Sequence, residues 1–173
     1  MKPKFLNFNN EKRTFNIAIV NPDNGEIVPV DEWRKEQNPT RASVVCLNIG
    51  GKVWLAIAKF NADGGKGHNF DEANDIASKA TFDGCDGATF RLPTRYECTD
   101  IYDARFAGLD DAVSLIGGDP LTSWFWTCES DPDPENDATY AFVFYGNYGE
   151  LGNDNKRKYY SYTVRPVSEF ELV

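Results

Sequence analysis

The stretch VVCLNIGGKVWLAIAKF, Val44 to Phe60, decides the fold. Two apolar runs flank Gly50 and Gly51, residues that tolerate the positive φ of a two-residue turn, so the stretch reads as an antiparallel hairpin. Upstream, Phe15 to Val20 reads as a first strand, and the NPDNGE that follows is turn chemistry. Downstream, Asp63 to Gly67 is expected as a flexible connection. A helix then begins with Asn69 as cap and Glu72 reaching back, and it buries Phe70, Ala73, Ile76, Ala77 and Ala80 at helical spacing.

The second helix opens on TRYE, a capping box in which Thr94 and Glu97 satisfy amides that have no partner within the helix. Cys98, Ile101, Tyr102, Arg105 and Phe106 fall on its buried stripe. A short third helix through Ala112, Val113 and Ile116 stops at Gly117 and Gly118. Strands resume with SWFWTC, an acidic loop ESDPDPEND, and ATYAFVFY. A tight turn at Gly146 and Asn147 follows, and Thr163 to Val167 reads as a last, buried strand. The order implies an α+β domain, with a mixed, mainly antiparallel sheet and two main helices.

The chain has 173 residues, enough for one domain with a real core and too few for two comfortable ones. Hydrophobic residues make up 41% and aromatics 14%, so apolar burial can offset chain entropy without metal or disulfide staples. The net charge of -9 opposes a phosphate backbone or an anionic lipid surface, which argues against nucleic acid as a partner. The opening MKPKFLNFNNEKRTF has no apolar run of signal-peptide length, and no stretch reaches membrane-spanning length. Cys46, Cys85, Cys98 and Cys128 form no C-x-x-C pair, and His68 is the only histidine, so the thiols read as reduced, packed side chains rather than zinc ligands.

Three motifs in order carry a resemblance: RLPTRYE (Arg91 to Glu97), FWTCES (Phe125 to Ser130) and YTVRPV (Tyr162 to Val167). Together they resemble the short bacterial and phage C-type-lectin-like domains of the formylglycine-generating-enzyme superfamily. The likeness covers Ile27 to Val167, leaving residues 1–26 as an amino-terminal strand extension and 27–173 as the lectin-like domain. It implies first and last strands that pair near the termini, helices flanking the sheet, and a long surface-forming region between. In the members diversified by retroelements, solvent-facing residues just before the V-R-P-V end carry the variation. A variable protein, or an adhesin on a virion or cell surface, is the expectation that follows.

The candidate contact face comprises Tyr145, Asn147, Tyr148, Glu150, Asn153, Asp154, Asn155, Lys156, Arg157, Tyr159, Tyr160 and Tyr162. Tyrosine offers large contact area with few torsions to freeze, while Asn and Arg add directional hydrogen bonds. The competing account is a solvated loop whose tyrosines fold over the core edge. Asp131, Asp133, Glu135, Asn136 and Asp137 could offer oxygen ligands to calcium, but the calcium-lectin signatures are missing and a bare acidic loop is the expectation. No metal or other cofactor is assigned. GGKGH, Gly64 to His68, lacks the full spacing and the Ser or Thr of a phosphate loop. Copper oxidases of the superfamily pair two cysteines, and Cys128 has no evident partner here. The expectation is a non-enzymatic module that recognises a protein or glycan receptor. Self-association into a homo-oligomer is the alternative, and an oxidase comes last.

Overall fold

In the computed structural model, which describes residues 15–158 and 162–172, the expected hairpin is the centre of the larger of two sheets. β3 (Val44–Gly50) and β4 (Val53–Ala58) pair from Val44↔Ala58 to Gly50↔Val53, with a register shift between Asn48 and Gly50. The turn is therefore Gly51-Lys52, one residue later than the sequence implies, and Gly50 belongs to the bulge. β1 (Ile17–Val20) lies between β2 (Ile27–Pro29) and β3, and β8 (Val167–Glu171) covers the far side of β4. All pairings in this five-stranded sheet are antiparallel.

Two expectations need correction. The first and last strands do not pair, because the β3–β4 hairpin sits between β1 and β8. The segment read as a final strand, Thr163 to Val167, makes only a bridge at Thr163, and regular pairing starts at Val167. Pro166 has no N–H to give a ladder, and the stretch before it is held by scattered bonds instead.

Each face of the large sheet has its own core. Ile19, Val45, Leu47, Leu55, Ile57 and Val167 face Ile101 and Ala104 of α3 (Arg95–Ala104) and Ala112 and Val113 of α4 (Asp110–Leu115), together with Trp33 from the short α1 (Val30–Trp33). Val20, Val44, Cys46 and Ala56 pack instead with Phe90 on the opposite face. Each fully buried aliphatic side chain contributes about 2 kcal/mol.

The smaller sheet runs β5 (Trp124–Ser130), β6 (Tyr140–Tyr145), β7 (Glu150–Asn155) in spatial order, also antiparallel. Phe125 and Phe144 meet Cys98 of α3 on one face. Trp126 and Val143 meet Phe70, Ala73 and Ala77 of α2 (Phe70–Ser78) on the other. Both capping boxes form as read: Glu72 N donates to Asn69, and Glu97 N donates to Thr94.

The stretch from Tyr162 to Val167 joins the two sheets. Thr163 N donates to Trp124 O and Trp126 N to Thr163 O, closing the outer edge of β5. Ala62 N donates to Val164 O, and Arg91 and Val167 exchange both backbone bonds. Arg165, 1% exposed, donates from Nη1 to the carbonyls of Ala58 and Lys59 and from Nη2 to those of Asp119 and Pro120. Burial pushes its pKa down to about 10, which leaves it charged at neutral pH. Arg165→Lys cannot reach four carbonyls on two sides and should lower the unfolding free energy by about 3 kcal/mol in urea titrations. A loss below about 0.5 kcal/mol would show that this residue is not the tie.

Candidate functional site

The turn between β6 and β7, Gly146-Asn147-Tyr148-Gly149, is clamped from three sides. Arg105 Nη1 donates to Gly146 O at 2.6 Å, and the Trp124 indole N–H donates to Asn147 Oδ1 at 2.8 Å. A Cβ at Gly146 would come within 2.5 Å of the carbonyl oxygens of Leu121 and Ser123. Gly149, at φ +73°, lies so close to the Tyr102 ring that a Cβ there would sit 2.5 Å from it. With its neighbours fixed, Tyr148 projects outward, 62% exposed.

Further along, β7 is fastened from the α2 side by a charge cluster centred on Asp154. Its Oδ2 accepts from Lys158 Nζ at 2.8 Å and from the Tyr162 hydroxyl, and its Oδ1 accepts from Asn155 N at 2.8 Å. Partial burial by itself raises the Asp154 pKa, but these donors overcome it and hold the carboxyl below its usual range. Burial, reinforced by Asp154, pushes the Tyr162 phenol well above its ordinary range, so it stays a donor. Lys156 Nζ donates to Ser130 Oγ at 2.8 Å and to Asp137 O, and it lies 5.0 Å from the Phe70 ring centre. Asn153 Nδ2 donates to Asp131 Oδ2 at 2.6 Å.

The twelve candidate residues thus divide. Asn147, Tyr148, Glu150, Asn153 and Arg157 are exposed. Tyr145, Asp154, Asn155 and Lys156 are half-buried supports, and Tyr162, 3% exposed, packs against Trp126 at 5.0 Å between ring centres. Tyr159 and Tyr160 lie outside the described residues.

Sequence reasoning missed the neighbouring aromatics. Phe106 was placed on a buried stripe, yet it is 69% exposed, because the chain leaves helical geometry at Ala107 and Gly108 between α3 and α4. Its ring meets Tyr102 at 5.3 Å, and Tyr102 meets Phe144 at 6.4 Å. Leu151, the cross-strand partner of Phe144, and Trp124 are each about 40% exposed. Phe106 and Leu151 therefore lie on the Tyr102 side of the small sheet, at the end where Tyr148 stands exposed in the turn. The available signal was Gly108, a helix-breaking residue two positions after Phe106.

The acidic loop uses its carboxylates on its own backbone: Asp131 Oδ1 accepts from Asp133 N and Asp133 Oδ1 from Glu135 N. Among the described residues no group of three or more His, Cys, Asp and Glu is placed to hold a metal ion. The four cysteines are free. Burial pushes the thiols of Cys46 and Cys98 far up, that of Cys85 up to about 11, and that of Cys128 up as well. Among the described residues no helix is long and apolar enough to cross a membrane. No protein-family model matches the chain, and no curated protein matches it, so the reading of this surface rests on its own geometry.

Because the Asp154 pKa is depressed in the folded state, its contribution is complete above the unfolded carboxyl value near 4 and fades as pH falls through the folded value. Asp154→Asn should cost about 1–2 kcal/mol at pH 7. The gap from the parent should shrink below about pH 4. Urea unfolding at a series of pH values reads both. A gap that does not change with pH would remove the ionic role.

Proposed function

We propose that this chain is a C-type-lectin-like, non-enzymatic recognition module that presents the β6–β7 turn and the start of the loop after β7 to a protein or glycan receptor on a phage or bacterial surface. The observation that carries the reading is the contrast at the two ends of β7: Tyr148 before it and Arg157 after it stand exposed, while the neighbours that hold them are bonded or packed. Rigid support for a few exposed aromatic and guanidinium groups lowers the ordering cost of binding. Phe106 and Leu151 extend the same surface with apolar area, the setting in which a central aromatic contributes most.

The antiparallel α+β architecture and the structural use made of the resembling motifs support the lectin-like assignment. Arg91, Thr94, Glu97 and Arg165 each hold the frame, leaving the segment between β5 and β8 to form surface.

Tyr148→Ala and Arg157→Ala are each expected to weaken receptor binding at least tenfold in glycan-array and cell-binding assays. Melting temperature should stay within about 2 °C, since neither side chain is buried. Lowered melting with unchanged binding would reverse the assignment and make the two side chains structural.

A further inference from the structure

Among the described residues, the small sheet has one edge that no strand closes. On the β5 side, Thr163 bridges the outer edge, whereas β7 is terminal in its sheet. The bond from Lys156 N to Thr139 O sets the phase of the β6–β7 ladder. In an antiparallel pair alternate residues turn their N–H and C=O toward the partner, so Leu151, Asn153 and Asn155 turn theirs outward. The carbonyl of Tyr140, which pairs with Asn155, points away from β7 and accepts from Asp131 N, as this phase requires.

Asn155 is satisfied within the chain: its N–H donates to Asp154 Oδ1 and its carbonyl accepts from Lys158 N. Leu151 and Asn153 meet no backbone partner among the described residues, which leaves two donors and two acceptors in a row beside Tyr148. We propose that this edge is a strand-addition site for an extended, lysine- or arginine-bearing peptide segment of a partner, a proposal that rests on the recognition reading above.

Charge and register select that occupant over a second copy of this chain. Two copies can match Leu151 to Asn153 in both directions only about an axis through Gly152. That register sets Glu150 directly opposite Asp154 twice, and like charges facing each other across a ladder destabilise it. Each copy also brings a net charge of -9. A partner segment with cations at alternate positions answers Glu150, which is exposed and lies on the same face of β7 as Asp154. Lys158 already engages Asp154, and Arg157 lies beyond the edge residues, so neither occupies this stretch. Apolar residues at the intervening positions would lie on the face of Leu151, whose cross-strand partner Phe144 is part of the sheet core. Main-chain bonds would supply affinity and the alternating side chains specificity.

The full chain, labelled with nitrogen-15, is titrated with acetyl-Val-Lys-Val-Lys-Val-Lys-Val-amide. Binding should slow amide exchange at Leu151 and Asn153 at least tenfold. N-methylating alternate peptide amides should weaken affinity at least tenfold without touching the protein, and replacing Lys by Glu should do the same. Leu151→Pro, which removes an outward N–H and no bond to β6, should match the N-methyl result if its circular dichroism is unchanged. Equal affinity of the N-methylated peptide, protection located elsewhere, or no binding at millimolar peptide would each overturn strand addition. None of these outcomes bears on receptor binding through Tyr148 and Arg157, which the receptor assays decide separately.

Discussion

A single buried cation holds the two sheets to a common frame. Among the described residues Arg165 has no carboxylate within ion-pair distance, and its guanidinium instead draws on the carbonyls of Ala58, Lys59, Asp119 and Pro120. Those carbonyls end β4 and open the approach to β5, so one side chain fixes where the large sheet stops and the small one starts. A charge taken out of water is costly unless its donors are satisfied, so the site tolerates little displacement. Pro166, next in the chain, keeps this segment from joining a ladder and leaves Val164 O free for Ala62 N.

The second constraint is the ion pair of Arg91 with Glu97, bidentate at 2.7 and 2.8 Å. Glu97 is nearly buried and also accepts from Thr94 N, so one carboxylate both caps α3 and anchors the strand-like segment that pairs with Val167. Hydrogen bonding to Glu97 raises the Arg91 pKa, so the guanidinium stays charged. Helix α3 in turn supports the β6–β7 turn through Tyr102 and, just beyond its end, Arg105. Arg91, Thr94, Glu97 and Arg165 are therefore scaffold, and they act on the exposed surface only by positioning it.

That division explains what could be read from the sequence. Capping boxes, the Val44 to Phe60 hairpin and the apolar stripes of α2 and α4 are local patterns, and local patterns survive folding when tertiary contacts agree with them. The turn of the first hairpin shifted by one residue because a bulge at Asn48 to Gly50 is a cross-strand event with no local signature. The last strand was misjudged because burial and apolar content were taken for pairing: Val164 is buried but its backbone bonds go to a loop. At the surface, a cluster of Tyr, Asn and Asp could be recognised, but not sorted. Tyr162 and Tyr148 have the same chemistry, and only the position of Asp154, reached across the end of β7, makes one a support and leaves the other exposed.

The sorting has a physical consequence for recognition. A surface on which all twelve candidates pointed outward would be a flexible polar loop, and ordering it would consume much of any binding free energy. Here Asp154, Asn155, Lys156, Tyr145 and Tyr162 are committed inward, which leaves few side chains exposed but fixes the backbone beneath them. The strand so fixed, Glu-Leu-Gly-Asn-Asp-Asn, is poor in the β-branched and aromatic residues that strands favour, so its extended form is imposed by β6 and by the Asp154 cluster. Weak intrinsic propensity together with the like charges of Glu150 and Asp154 disfavours pairing of this edge with its own copies, whereas the proposed strand addition uses the ladder positions at Leu151 and Asn153 without that repulsion.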